Sequence, residues 1–219
     1  MGYLLEHCQY GRLSPEIIDQ CQPYKCSNNP DIDSFFHEGK EDNYTDYLNE
    51  MMGYSHCFYT DEEHPQMVCA FSLSNTALRI DVLPKGKRNK FNKSIPNPKR
   101  RSQYPAILIG QLCIFDGFGN HVFHQNIGNE MMDLIKTMAI DKENSCAARY
   151  LIVDAVNTHN VIEFYKRNGF VFLFESDEEE LKYLRGKSFS KSIFKCHKKA
   201  HLFCKTRLMF FDLILLKTD

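Results

Sequence analysis

One loop of the sequence combines residue types that favour anion binding. Residues 123–129, FHQNIGN, precede a segment in which apolar residues recur at helical spacing. The N-terminus of a helix presents unpaired backbone N–H groups and the positive end of the helix dipole, which together attract anions. Gly128 would let the backbone approach a phosphate closely, although one glycine at a helix start also occurs for structural reasons alone. The sequence therefore indicates a candidate phosphate site at residues 124–129.

A second group consists of soft metal ligands. Cys196, His197, His201 and Cys204 lie within nine residues, and the two histidines would share one face of a helix. Their spacing fits no common zinc pattern, and the six lysines and arginines of residues 191–207 would repel a cation. We therefore predict no metal site, with zinc at this cluster as the alternative.

Cysteine usage and hydropathy indicate the compartment. The nine cysteines form no C-x-x-C pair, which favours free thiols in a reducing cytoplasm over a disulfide framework. None carries a local signature of a cysteine nucleophile, so that chemistry is a lesser alternative. The longest apolar stretch, Leu208 to Leu216, contains Asp212 and is far shorter than the roughly 20 residues that span a bilayer. We predict a cytoplasmic protein with no membrane span.

The periodicity of apolar residues predicts the elements that would position these groups. At 219 residues the chain is expected to form a single domain, 1–219. Its parts are predicted as peripheral N-terminal helices in 1–53 (helices at 31–39 and 43–52), a core in 54–174, and a charged segment with a final strand in 175–219. The core is predicted to contain strands at 55–59, 67–73, 104–115, 150–155 and 170–174, a helix after the loop, and a helix that is capped by Asn157 or Thr158 and ends near Asn168, before Gly169.

The charges of the chain are segregated although they nearly cancel. Residues 31–63 hold ten acidic residues and one basic residue, residues 85–101 hold eight basic residues and no acidic one, and residues 181–211 hold nine basic residues and no acidic one. Such blocks are solvated faces or steer a charged partner. We expect the stretch 84–101 to be an exposed loop. The alternative to an enzyme is a non-catalytic module that binds nucleic acid or protein through blocks 85–101 and 182–207.

Two runs of the sequence resemble the signatures of the GNAT superfamily of acetyl-CoA-dependent N-acetyltransferases. The run IGQLCIFDGFGNHVFHQNIGNEMMDLI is similar to the family's acetyl-CoA strand, pyrophosphate loop and helix. The run VDAVNTHNVIEFYKRNGFVFL is similar to its second signature, in which a helix ends in Tyr-x-x-x-Gly-Phe. In the usual loop, Arg/Gln-x-x-Gly-x-Gly/Ala, this chain has Phe123 at the first position and Asn126 at the first glycine. Asparagine adopts positive φ more readily than most residues.

The resemblance implies a fold and a reaction. The fold is α/β, a GNAT-like mixed, mostly antiparallel twisted sheet flanked by helices, with two central parallel strands, 104–115 and 150–155, splayed around the cofactor. The reaction is acetyl transfer from acetyl-CoA to a primary amine, with Tyr165 as the acid that protonates the leaving thiolate. A backbone N–H at Cys113 or Ile114 would polarise the thioester carbonyl. The cofactor-binding residues that it implies are Leu112, Cys113, Ile114, His124, Gln125, Asn126, Ile127, Gly128, Asn129, Asn157 and Asn160.

The acceptor is less constrained by the sequence. The run YKCSNNPDIDSFF is similar to the early helices of a bacterial subgroup with toxin-like members, and this implies an aminoacyl-tRNA as one acceptor. The basic blocks 85–101 and 182–207 could hold its phosphate backbone. An acidic small molecule and an acidic protein tail are alternatives. The blocks could also pair with the chain's own acidic segments or with a second copy in a homodimer.

Overall fold

The computed structural model describes residues 2–93, 95, 102–119, 126–144, 147–185 and 204–217, with the backbone alone for residues 182, 184 and 185. The fold is mixed α/β, with mostly antiparallel strands and one parallel pair. The seven strands of the described part are β1 (Cys8–Arg12), β2 (Tyr54–Thr60), β3 (Met67–Arg79), β4 (Gln103–Ile114), β5 (Tyr150–Val156), β6 (Val171–Phe172) and β7 (Thr206–Asp212). Its helices are α1 (Tyr3–His7), α2 (Pro15–Gln20), α3 (Pro30–Phe35), α4 (Tyr44–Asn49), α5 (Lys85–Asn92), α6 (Ile127–Ile140), α7 (His159–Arg167) and α8 (Asp177–Arg185), with a short 3₁₀ helix at Leu213–Leu216.

The chain divides into two compact units, residues 1–76 with 107–147, and residues 77–106 with 148–219. In the first unit the strands follow one another as β1, β2, β3 and β4. Strand β1 pairs antiparallel with β2, and β2 pairs antiparallel with β3 through a register shift at Phe58/Tyr59. The predicted strands near 55 and 67 are thus confirmed, and β3 extends six residues beyond the predicted end.

The N-terminal 53 residues are not the purely helical periphery that the sequence predicts. They contain strand β1, and the aromatic side chains of helices α3 and α4 enter the main core of the first unit. Helices α3 and α4 form where predicted because asparagines cap them: Asn29 accepts from two backbone N–H groups, and Asn43 forms a reciprocal capping box with Asp46. The core that they complete comprises Leu13, Cys26, Phe35, Phe36, Tyr44, Cys57, Met67, Ala70, Cys113 and Phe115.

In the second unit, β4 begins beside β5, which pairs antiparallel with β7, and β7 pairs antiparallel with β6. The backbone N–H of Arg149 donates to the Pro105 carbonyl at 2.8 Å, and β4 and β5 form the expected parallel pair. The final strand is shorter than predicted: it ends at Asp212, whose carboxylate accepts from the Ile214 N–H and starts the 3₁₀ helix. The predicted strand 170–174 is reduced to the two residues of β6.

The expected loop at 84–101 is a helix over Lys85–Asn92, and residues 94 and 96–101 lie outside the described part. This helix forms because one of its residues is an anchor: the Phe91 ring packs against Tyr150 at 5.7 Å and against Phe210 at 5.2 Å. Because most residues of the stretch are basic or polar, the sequence gives no apolar periodicity that would indicate this single contact. Within the described ranges, no helix is long and apolar enough to cross a membrane.

Candidate active site

The carboxyl end of β4 is held in place by its neighbours in the first unit. The Phe115 N–H donates to the Val68 carbonyl at 3.0 Å, and the Asp116 N–H donates to the Lys25 carbonyl at 2.8 Å. The Asp116 carboxylate in turn accepts from the Ser27 hydroxyl at 2.5 Å and from the Ser27 backbone N–H. The backbone of the last β4 residues is therefore fixed, as a group that polarises a carbonyl must be.

The predicted cofactor-binding residues of β4 lie at this end. Cys113 is buried in the core, while Leu112 and Ile114 are half-buried. A hydrogen bond with Cys26, together with burial, raises the pKa of the Cys113 thiol well above its ordinary value. The same hydrogen bond lowers the pKa of Cys26, against the opposing effect of burial. Burial raises the pKa of Cys57 to about 12. The raised values at Cys113 and Cys57 keep both groups as thiols near pH 7, which argues against either as a nucleophile, so only the Cys113 backbone is left for the predicted role.

The start of α6 has the features of an anion site. The Asn129 and Glu130 N–H groups both donate to the Asn126 carbonyl at 3.1 Å. Ile127 and Gly128 come before the first residue whose N–H group bonds within the helix. The Asn126 side chain does not cap their N–H groups. Asn126 has φ of −90°, so the loop enters the helix here without the left-handed conformation that a glycine would permit. The other predicted loop residues, His124 and Gln125, lie outside the described part of the chain.

Helix α6 is braced by a residue that the sequence did not single out. The Glu130 carboxylate accepts from the backbone N–H of Leu4 at 2.9 Å and of Leu5 at 3.3 Å. It therefore binds the first turn of α1, where orphan N–H groups favour a carboxylate. The partners are more than 120 residues apart in the chain, so no local pattern could have indicated the contact.

Tyr165 lies on α7 in the second unit, as the signature implies. Its ring packs between Phe164 at 5.1 Å and Phe170 at 5.5 Å, and the residue is 7% exposed. Burial raises the pKa of the phenol, which therefore keeps its proton at neutral pH. Within the described part of the chain, no residue hydrogen-bonds the Tyr165 hydroxyl. A core tyrosine would be expected to have a partner for that group.

Gly169 ends α7 in the predicted left-handed conformation. Its φ is +80°, and a Cβ at this position would lie 2.9 Å from the Phe211 ring. The Gly-Phe step thus turns the chain sharply enough to bring Phe170 back against Tyr165. The glycine is required both for the turn and for the close packing.

The two asparagines that are predicted to bind the coenzyme at the start of α7 differ in whether the fold already uses their side chains. The Asn157 side-chain amide donates to the Cys204 carbonyl at 2.9 Å, and its backbone N–H donates to the Lys205 carbonyl, also at 2.9 Å. Asn157 therefore already has a structural role. Asn160 is exposed in the first turn of the helix.

A buried ion network that the sequence did not reveal secures β7 in the same unit. The Arg207 guanidinium donates to Glu180 and to Asp177, each at 2.7 Å, and to the Phe174 carbonyl at 3.0 Å. The Asp177 carboxylate also accepts from the Cys204 N–H at 2.8 Å. All three charged groups are therefore satisfied, so the network fixes the chain rather than leaving a charge free for chemistry.

The described residues offer no cluster of three or more histidine, cysteine, aspartate or glutamate side chains that could hold a metal ion. Three members of the cluster considered for zinc, Cys196, His197 and His201, lie outside the described part. The fourth, Cys204, donates its thiol to the Asp177 carbonyl.

No protein-family model and no curated protein matches this sequence. Solved structures do match its fold. A tyrosine-to-phenylalanine mutant of KacT is 12% identical, with 96% of this chain and 98% of that chain covered and a TM-score of 0.59. AtaT complexed with acetyl-methionyl-tRNAfMet is 13% identical, with coverage of 95% and 96% and a TM-score of 0.59. AtaTR bound with AcCoA is 13% identical, with coverage of 96% and 98% and a TM-score of 0.56.

At these identities the likeness concerns the fold, and it extends over nearly the whole chain. The strand, loop and helix of the first signature correspond to β4 and α6, and the strand and helix of the second correspond to β5 and α7. The chain therefore has the GNAT fold that its two sequence signatures imply.

Proposed function

We propose that this protein is an N-acetyltransferase that transfers the acetyl group of acetyl-CoA to a primary amine. The observation that carries the proposal is that both sequence signatures coincide with the elements of a GNAT fold. The second signature contains Tyr165, a buried tyrosine that keeps its proton at neutral pH and whose hydroxyl no described residue hydrogen-bonds. That AtaTR is described as bound with AcCoA supports the same co-substrate for this chain.

The described residues fit acetyl-CoA at the points where it needs protein groups. The N–H groups of Ile127 and Gly128, which the Asn126 side chain does not cap, are suited to the pyrophosphate. The fixed backbone at Leu112, Cys113 and Ile114 is suited to the pantetheine amides and the thioester carbonyl. By the resemblance, His124, Gln125, Asn126 and Asn129 complete the pyrophosphate site, with Asn157 and Asn160 near the coenzyme.

In the proposed mechanism, the chain's own groups orient, polarise and donate a proton. The amine nitrogen forms a bond to the acetyl carbon while a backbone N–H at Cys113 or Ile114 stabilises the charge that develops on the carbonyl oxygen. The carbon–sulfur bond then breaks, and its electron pair leaves with sulfur. The Tyr165 hydroxyl gives its proton to that sulfur, and the nitrogen loses a proton to water, which restores the tyrosine through the solvent.

Calorimetric titration with acetyl-CoA tests the binding step. We expect binding, and we expect Gly128→Asp to weaken it at least about tenfold, because the new carboxylate lies beside the phosphates. Gly86→Asp is the matched control, since it places the same charge in an exposed helix with open space around the glycine. Equal loss in both variants, or no binding by the native chain, would contradict the proposal.

We propose an aminoacyl-tRNA as the acceptor. Two observations favour it over an acidic small molecule or protein tail: AtaT is described as complexed with acetyl-methionyl-tRNAfMet, and α5 exposes several cations on one face. The discriminating assay compares acetyl transfer to aminoacyl-tRNA, to polyamines and to peptide amines at equal amine concentration. Transfer to the small amines with none to aminoacyl-tRNA would exclude this acceptor but leave the acetyltransferase proposal standing.

The same assay separates the enzyme from the binding module that the basic blocks alone would permit. Nucleic-acid binding without acetyl-CoA binding or turnover would identify the module. We place the activity in the cytoplasm, where acetyl-CoA and aminoacyl-tRNA both occur. The seven cysteines of the described part are free thiols, which agrees with a reducing compartment. A homodimer is also proposed, and sedimentation of the purified chain tests it.

A further inference from the structure

The carboxyl end of α4 exposes a cluster of large apolar side chains. Tyr47, Leu48, Met51 and Met52 are 37%, 41%, 85% and 58% exposed, and they lie within six residues. We call these four residues the α4 surface. The same helix buries Tyr44 in the core, and the Tyr47 ring packs on Phe35 at 5.4 Å, so Leu48, Met51 and Met52 are not needed to hold the helix in place. Single exposed apolar residues are ordinary, but a local group of four marks an interaction surface.

The backbone shows that the helix end is specialised. The Met52 N–H donates to the Tyr47 carbonyl at 2.9 Å, and the Met51 N–H donates to the Leu48 carbonyl at 3.0 Å. This is the Schellman pattern, whose left-handed residue is usually glycine. Here that residue is Met51, with φ of +54°. An L side chain is strained in this conformation, because its Cβ crowds the following carbonyl oxygen.

A left-handed backbone conformation at a residue other than glycine is uncommon in the described part of this chain. Within the described part of the chain, only two non-glycine residues have positive φ: Met51 and Asp42, and these two flank α4. Asp42 is of a type that tolerates the conformation, whereas methionine is not. A methionine that is both strained and 85% exposed contributes nothing to the core, so the strain points to a role at the surface.

The charges around the α4 surface identify the partner. Glu41, Asp42, Asp46 and Glu50 are all exposed, and residues 41–63 contain no lysine or arginine. Methionine side chains adapt their shape to an apolar partner face, and an acidic border attracts cations to it. An isologous contact with a second copy would set these acidic borders against each other. Nucleic acid and anionic membranes would be repelled for the same reason.

We propose that the α4 surface docks a basic amphipathic helix of a partner protein. Its apolar stripe would cover Met51, Met52 and Leu48, and its basic side chains would face Asp46 and Glu50. The α4 surface shares no residue with those assigned to acetyl transfer. The proposal therefore does not depend on the proposed enzymatic activity.

Fluorescence anisotropy with a designed peptide of about 18 residues tests the proposal on the full chain. The probe has leucine at helical i, i+3, i+4 and i+7 positions and lysine elsewhere. A sequence-scrambled peptide and a peptide with glutamate in place of lysine are the comparison probes. We expect only the lysine helix to bind, more weakly as salt is raised. Equal binding of the scrambled or the glutamate probe would overturn the proposal.

Variants locate the binding on the chain. Met51→Ser combined with Met52→Ser should weaken binding of the lysine helix at least about tenfold, and Asp46→Asn with Glu50→Gln should flatten its salt dependence. The controls remove equally exposed groups elsewhere: Leu215→Ser, at a leucine that is 72% exposed, and Glu178→Gln. Unchanged affinity in the methionine variant would overturn the proposal. So would a native dimer in sedimentation equilibrium that the methionine variant dissolves, because the surface would then be a self-interface.

A second variant guards against misfolding as the cause of reduced binding. Met51→Gly removes the apolar side chain and suits the left-handed backbone, so the variant should fold at least as stably as the native chain. We expect it to lose most of the affinity for the lysine helix while its melting temperature stays equal or rises. Full affinity in this stable variant would show that Met51 has no part in docking.

Discussion

At the scale of single residues, the Tyr165 hydroxyl is the atom on which the proposed chemistry depends most directly. Tyr165→Phe keeps the ring between Phe164 and Phe170 but removes the proton that the thiolate would receive. We expect kcat to fall by about 10²–10⁴-fold, the usual contribution of a positioned general acid. Steady-state kinetics with a competent amine measure this, and calorimetry checks that acetyl-CoA affinity is retained.

The alternative for Tyr165 is a purely structural tyrosine. In that case the phenylalanine variant would lose stability and activity in proportion, because a satisfied buried hydroxyl would have been removed. Its thermal unfolding should instead change little, since no described residue hydrogen-bonds that hydroxyl. Full activity in the variant would mean that the thiolate leaves without this proton.

The strained Met51 gives a prediction about stability that is independent of any partner. Met51→Gly should stabilise the folded chain by up to about 1 kcal/mol, because glycine adopts φ of +54° without a steric cost. Urea unfolding measures the change. Met52→Gly is the matched control: it removes an exposed methionine whose φ is not positive, so no gain is expected. Equal changes in the two variants would show that Met51 stores no strain.

At the scale of elements, α5 presents one basic face and one anchored face. Lys85, Lys90 and Lys93 are exposed, whereas Lys87 turns inward to within 3.6 Å of the Glu175 carboxylate. Changing the three exposed lysines to glutamine should raise the KM for aminoacyl-tRNA. The slope of log affinity against log salt should become shallower by about 0.7–0.9 for each phosphate that the variant no longer neutralises.

Lys87→Gln is the informative control for that experiment, because this lysine faces acidic groups rather than solvent. It should leave the salt slope unchanged. Acetyl-CoA affinity, measured in parallel, should not respond to either change. If the triple variant shows the native slope, α5 is not where the nucleic acid lies.

The Arg207 network predicts which ion pairs stabilise the second unit. Arg207→Met would leave the buried carboxylate of Glu180 and the half-buried carboxylate of Asp177 without their cation, and we expect a loss of about 3–5 kcal/mol in the free energy of unfolding. Arg79→Met removes an exposed arginine from its pair with Asp81 and should cost far less, because solvent screens that pair. Chemical denaturation compares the two; similar losses would contradict a special role for burial.

At the scale of the whole molecule, one buried histidine makes stability depend on pH. The His56 ring stacks between Tyr10 and Phe71, and its Nδ1 lies 2.6 Å from the Tyr10 hydroxyl. Burial, with a smaller effect of the Arg12 charge, lowers the pKa of His56 from 6.5 to about 4. Between these values the unfolded chain binds a proton that the folded chain does not.

The contribution of the neutral His56 ring to the free energy of unfolding should therefore be fully present above about pH 6.5. It should be lost, by about 3 kcal/mol, as the pH is lowered through 4. The His56→Phe variant fills the same stacked position without a titrating group and should lose that part of the pH dependence. His64→Gln, at an exposed histidine, should keep the native profile. Urea unfolding at several pH values distinguishes them, and parallel profiles for the native chain and the His56 variant would contradict the assignment.

Local sequence patterns were enough to predict the main strands and the two signatures, and the resemblance of those signatures to the GNAT superfamily implied the fold class. Alternating or helical apolar periodicity marks β2, β4 and α6, asparagine caps mark α3 and α4, and the glycine after α7 marks its end. The Tyr165 assignment followed from the signature that contains these signals. A likeness in fold to KacT and AtaT agrees with the predicted fold, and the role of Tyr165 stays a prediction.

Other features depend on partners that are distant in the chain, and these emerged only from the folded structure. The sequence predicts a loop where α5 lies, because the stability of this helix comes from one ring, Phe91, packed on residues far along the chain. The contact of the Glu130 carboxylate with α1, the Arg207 network and the low pKa of His56 likewise arise from contacts between separate segments. The strain at Met51 has no sequence signal, since the backbone conformation is set by the Schellman hydrogen bonds and not by the residue. Burial and long-range contact are properties of the folded chain, so local patterns do not encode them.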